Sequence, residues 1–232
     1  MATHIPDNVS IRVVVDAVDA TCAALESDPE TSALAKTWAG LRDKADGLAK
    51  TRCERDRGAL RARARLAVCD SKWDATVAAF GRAVVDVSGG RRDQPPYTRF
   101  FGKTTPSAAQ AFGIAREIET ARAWLVELAR NPAEPLAQTW TPRLKEATDA
   151  LEMAFNQRND TVKAIGPELT SVVLFIDEVN RELDRLEGDL KKLFAGAPDR
   201  AASYLAATRN NRQSSAVDPT PATGPTPAPT SP

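Results

Sequence analysis

An all-α fold, an elongated helical bundle or coiled coil built from two tandem copies of a short-helix/long-helix hairpin and ending in a disordered tail, is what this sequence predicts. Three observations predict it. Leu34-Ala35-Lys36-Thr37-Trp38 returns as Leu136-Ala137-Gln138-Thr139-Trp140, a shift of 102 positions. Asp28-Pro29 is likewise matched by Asn131-Pro132, and Leu41-Arg42-Asp43 by Leu144-Lys145-Glu146, while Asp46, Leu48 and Arg55 reappear as Asp149, Leu151 and Arg158. A period of about one hundred residues is too long for a solenoid and reads as duplication of a supersecondary unit. The second observation is a pair of long apolar seams stepping by four and three residues, the spacing of packed helices. The third is the chain from Ser214 onward, Pro, Thr, Ala and Ser almost throughout, which cannot bury apolar area.

The elements follow in order. Ser10 or Asp7 caps a first helix over about residues 8–27, whose apolar positions Ile11, Val14, Val15, Val18, Cys22 and Leu25 keep helical spacing until Ser27-Asp28-Pro29 stops it. Thr31 or Ser32 starts a long helix carrying Leu34, Trp38, Leu41, Ala45, Leu48, Arg52, Arg55, Ala59, Ala62, Leu66, Cys69, Trp73, Val77, Phe80, Val84 and Val87 on its seam, ended by Ser88-Gly89-Gly90. Its glycines, Gly58 above all, leave a break open, since each weakens the helix by about 1 kcal/mol against alanine. Turn residues over 91–106 read as a linker. Ser107 opens a third helix through Phe112, Ile118, Leu125 and Leu128, closed by Asn131-Pro132. The fourth helix kinks or begins at Thr141-Pro142 and holds one seam from Leu151 through Phe155, Arg158, Val162, Ile165, Leu169 and Val172 to Leu193. Because that seam keeps phase across Gly166-Pro167, one kinked helix is expected there.

The predicted organisation is thus a hairpin over residues 1–90, a linker over 91–106, a second hairpin over 107–198 and a mostly disordered Pro/Thr/Ala-rich tail over 199–232, with a short helix around Tyr204 and Leu205. Each hairpin alone leaves its seam exposed, so the two long arms are expected to shield each other, antiparallel by preference. A seam that pairs with another molecule is the alternative.

Charge narrows the partners. The 31 basic and 31 acidic residues cancel, which removes any whole-molecule attraction to nucleic acid or anionic lipid. Residues 49–103 nevertheless hold 13 basic against 6 acidic side chains, and 104–195 hold 11 against 15. Cys22, Cys53 and Cys69 lack disulfide or zinc spacing and read as reduced packing residues. Neither a secretory leader nor an apolar run long enough to span a bilayer is visible, so a cytoplasmic protein without membrane contact is expected.

Catalytic chemistry has little to build on. The single histidine, His4, lies in a terminus expected to fray, and no Glu-x-x-His pair, Walker motif or dinucleotide glycine pattern occurs. No catalytic residue, cofactor or metal is therefore assigned. The interaction candidates are Arg52, Arg55, Arg57, Arg61, Arg63 and Arg65, a basic stretch with Lys50 ahead of it that suits a solvated face, an acidic partner or phosphates. Arg55 and Arg158 sit at equivalent seam positions, where a charge fixes register through a polar layer with Asp46 or Asp149, or simply snorkels outward. Tyr97, Arg99, Phe100, Phe101 and Lys103 interleave aromatic and basic residues, as in a surface that stacks bases or docks a peptide, or in a loop pinned to a core. These features point to a non-enzymatic structural or adaptor protein presenting long helical surfaces to a protein partner or to itself. A nucleic-acid accessory role through the arginines and the linker is the alternative.

Overall fold

Ser10 opens helix α1, Ile11–Glu26, which buries Ile11, Val14, Ala17, Val18, Cys22 and Leu25 on one face. In the computed structural model, which describes residues 4–102 and 104–214, helices make up all the regular structure and no strand occurs among those residues. Asp28 accepts a hydrogen bond from the Glu30 amide and Pro29 begins a single 3-10 turn, Pro29–Thr31, so the chain reverses at once into α2, Ser32–Val87. No break occurs at Gly58. Helix α2 ends where the sequence requires it, with Gly89 and Gly90 at φ of 64° and 82° and the Gly90 amide donating to Val85 O at 2.9 Å.

The linker is more ordered than its turn residues suggest. It holds a short helix α3, Tyr97–Phe101, and the predicted third helix is split into α4, Pro106–Ala109, and α5, Ile114–Ala129. Thr105 caps α4 through the Ala108 amide, and Gly113 serves as the N-cap of α5. Helix α6, Pro135–Lys163, starts on Pro135 and continues through Pro142, which lacks the N–H that would pair with the Gln138 carbonyl. The expected single kinked helix across Gly166-Pro167 is corrected: α6 stops at Lys163 and α7 runs Ile165–Leu193, with Ala164 between them. Pro167 has no N–H to offer the Lys163 carbonyl, and whereas Pro142 lies between the buried Trp140 and Leu144, no buried side chain nearby offsets the loss.

The short helix expected around Tyr204 and Leu205 is present. Pro198–Ser214 forms α8, whose Ala201, Tyr204 and Leu205 are buried, while residues beyond Ser214 lie outside the described ones. His4 does not fray. It bonds Asp184 at 2.8 Å, and next to it Ile5 donates to Asn180 Oδ1 at 2.6 Å and accepts from Asn180 Nδ2 at 2.9 Å.

Two compact units result, one taking residues up to Cys53 and from Gly166 on, the other Glu54–Ile165. They cut across the predicted 1–90 and 107–198 hairpins, because each long arm gives its two ends to different cores. In unit 1, α1, the start of α2, α7 and α8 bury Val18, Leu25, Trp38, Leu41, Ile176, Leu183 and Leu190. Helices α2 and α7 run antiparallel there, since Lys44 meets Glu178 while Arg52, further along α2, meets the earlier residue Glu168. Asp28 ties α8 to the α1–α2 turn, accepting from Tyr204 Oη and from Arg200, both at 2.5 Å, and these bonds hold its carboxyl down at about 2.

Unit 2 packs the end of α2, also antiparallel, against α6, with α5 beside α6: Arg65 reaches Gln157, and the rings of Phe80 and Trp140 are 5.6 Å apart. Phe80 also touches Phe100, Phe101 and Trp124. Between the two sets of core residues neither long arm buries anything: no residue from Asp46 to Arg61, nor from Phe155 to Ser171, is buried. The seam residues Val162, Ile165 and Leu169 are thus not core, contrary to their phase. The short helices α1 and α5 have 16 residues each, about 24 Å at 1.5 Å per residue, and cover only part of a long arm.

Two glycines in α2 make opposite predictions. A Cβ at Gly58 meets nothing within 4 Å, so Gly58→Ala stabilises the protein by roughly 0.5–1 kcal/mol in denaturant unfolding. A Cβ at Gly81 falls 2.6 Å from Pro106 Cγ, so Gly81→Ala destabilises unit 2 by about 1–3 kcal/mol in the same measurement.

Candidate interaction surface

The basic stretch of α2 turns Ala62 inward at 3% exposure, which directs its arginines outward. Arg57, Arg61, Arg63 and Arg65 are exposed. Steps of four put Arg57, Arg61 and Arg65 on one helix face. Arg65 reaches the neutral Gln157 at 3.4 Å, and no carboxylate lies within 4 Å of Arg57, Arg61 or Arg63 among the described residues. Arg52 is different, standing 3.8 Å from Glu168.

The seam arginines Arg55 and Arg158 have different neighbours. Arg55 is 12% exposed and pairs with its neighbour Asp56 at 2.6 Å. Arg158 donates to Asn159, while Asp149 is engaged by Arg122 and Lys145 at 2.6 Å each.

The aromatic linker closes a core. Tyr97, Phe100 and Phe101 are 6%, 6% and 3% exposed, and Trp124 Nε1 donates to Phe100 O at 3.0 Å. Arg99 grips Glu134 with two bonds, of 2.9 and 3.2 Å, approaches Glu127 at 3.5 Å and lies over the Phe100 ring at 4.7 Å. This pairing holds the Glu134 carboxyl below its ordinary range and raises Arg99. These rings present no face to a base, so the pinned-loop arrangement is the one realised. Lys103 lies outside the described residues.

One residue escaped the sequence reading. Glu117 on α5 is 3% exposed, and its Oε2 makes no hydrogen bond. Burial pushes its carboxyl up to about 7, helped by the charges of Asp70 and Asp74 on α2 and by a hydrogen bond with Asp70. Burial and Asp70 raise Asp74 as well. The signal was present: Glu117, Ala121, Trp124 and Leu128 keep the four-three-four spacing of the buried face. No group of three His, Cys, Asp or Glu residues able to hold a metal exists among the described residues.

The outward faces carry apolar side chains too. On α2, Leu60 and Val68 are 67% and 55% exposed, and on α6, Met153 is 62% exposed. Met153 lies in a shallow groove of about 900 Å³ with Asp149, Glu152, Asn156 and Asp160. No helix of the described residues is long and apolar enough to cross a membrane.

Glu117 makes the stability of the fold depend on pH. The folded chain keeps its proton to about pH 7, whereas the unfolded chain releases it near 4.5, so stability falls as pH rises from about 4.5 through 7. Glu117→Gln should therefore stabilise the protein at pH 8, by on the order of 2 kcal/mol, and this gain should shrink towards pH 5. Denaturant unfolding at both pH values checks it, an equal effect at both refuting the assignment. No protein-family model, curated protein or solved structure matches this chain, so its own residues carry the functional argument.

Proposed function

We propose that this chain is a non-enzymatic structural or adaptor protein that presents long helical surfaces to a protein partner or to copies of itself. The observation that carries this reading is the outer face of α2, where Arg57, Arg61 and Arg65 stand beside exposed Leu60 and Val68. Apolar side chains flanked by charge are what helix-on-helix recognition uses, the apolar residues supplying affinity and the charges choosing the partner. A tandem-hairpin origin supports the same reading. Helix α1 turns into α2 at Asp28-Pro29 and α5 turns into α6 at Asn131-Pro132, and the duplicated Trp38 and Trp140 are buried at 2% and 8% exposure. A fold made by copying a hairpin has its length in its long arms, and long arms offer surface. The expected setting is cytoplasmic.

The second reading is a nucleic-acid accessory protein. The row of Arg57, Arg61 and Arg65 favours it, but Tyr97, Phe100 and Phe101 are buried and give it no stacking platform.

Crosslinking mass spectrometry in the native cell, with light scattering of the purified chain, tests the first reading. The expected result is crosslinks from α2 residues to another polypeptide or to a second copy. A monomer with no crosslinked partner overturns it. Titration with nucleic acid at low salt should show no binding; binding that weakens linearly on a log–log salt plot would favour the second reading.

A further inference from the structure

Two faces of unit 2 carry opposite charge and similar length. On α2 the segment Arg57-Gly58-Ala59-Leu60-Arg61-Ala62-Arg63-Ala64-Arg65-Leu66-Ala67-Val68 buries only Ala62 and half-buries Gly58, Ala59 and Leu66. Its other positions face solvent, with Leu60, Ala64 and Val68 forming an apolar line at four-residue steps beside Arg57, Arg61 and Arg65. On α6 the groove face holds Asp149, Glu152, Met153, Asn156 and Asp160. Between positions 149 and 160 its only base is Arg158, which is half-buried beside Asn159. Asp160 is 75% exposed and has only Lys163, itself 80% exposed, at 3.8 Å.

Each stretch is 12 residues long and spans roughly 18 Å at 1.5 Å per residue. Residues four apart recur at about 6 Å on any α-helix, so a row of arginines on one helix finds acceptors at the same interval on another. With no net charge on the chain, long-range repulsion does not oppose the meeting of two copies. The acidic face has partly satisfied members, because Arg122 binds Asp149 and Glu152 and Lys145 binds Asp149, yet both acids remain about 40% exposed in their side chains.

We propose that two copies of this chain pair through unit 2, the Arg57–Arg65 face of α2 in one copy lying along the Asp149–Asp160 face of α6 in the other, with Leu60 and Val68 packing on Met153. When each copy gives both faces the contact is made twice and closes as a two-fold pair. The inference rests on the protein-interaction reading above and names its partner as a second copy. Short helical faces of this kind bury little area, so the pair forms in the micromolar range and weakens with salt.

Sedimentation velocity of the full chain over micromolar concentrations tests it. The wild type should form a dimer, and high salt should weaken it about tenfold. Arg57→Glu with Arg61→Glu should give a monomer, as should Asn156→Lys with Asp160→Lys, and mixing the two variants should restore a dimer containing one of each. All four positions are exposed, and circular dichroism verifies that the variants keep their helix content. Leu60→Gln with Met153→Gln gives an independent disruption without altering charge. A wild-type monomer at every concentration overturns the proposal, as does a dimer that both charge variants leave intact or a mixture that stays monomeric. Capture of a different polypeptide by a monomeric chain would overturn self-pairing while leaving the broader reading in place, and binding of nucleic acid to the arginine face of a monomer would overturn both.

Discussion

Antiparallel packing of long helices is the interaction on which the rest of this structure depends. Helix α2 lends its first part to one core, where α7 lies along it, and its last part to another, where α6 does. Burying one leucine-sized side chain is worth about 1.5–3 kcal/mol, and each core gathers many. An isolated helix, by comparison, is marginal in water even with good propensity. The short helices α1, α5 and α8 then deepen those cores, and polar contacts at the turns hold them in register.

Much of this was legible in the residues. The Asp28-Pro29 and Asn131-Pro132 stops, the Gly89-Gly90 terminus and the seam from Trp73 to Val84 all read correctly, because each rests on local backbone chemistry or on a face that is in fact covered. Phase alone misled at Val162, Ile165 and Leu169. Periodicity tells which side of a helix is apolar, but whether another helix lies over it depends on the lengths of elements far away in the chain. The stop at Lys163 has a local cause in Pro167, which the unbroken seam conceals.

The candidate site was harder to read. Tyr97, Phe100 and Phe101 sit among proline and turn residues, and composition there describes how the chain bends without revealing that the bend tucks Phe100 and Phe101 against Phe80, Phe101 also against Trp124, and Tyr97 onto Phe101. Glu117 carries the converse lesson. A carboxylate in a charged helix is ordinarily solvated, and only its spacing relative to Trp124 and Leu128 betrayed that it faces inward. The arginines of α2 are plain in the sequence by type, and the four-residue steps from Arg57 to Arg61 to Arg65 set their common face.

The placement of the four indoles gives the molecule a built-in optical partition. Trp38 belongs to one core, and Trp73, Trp124 and Trp140 to the other, all of them buried. Loosening of unit 2 would dominate any change in emission, while the lone chromophore of unit 1 would report separately once the other three are replaced. Whether the two cores melt together or in turn is thus written in light the chain already emits.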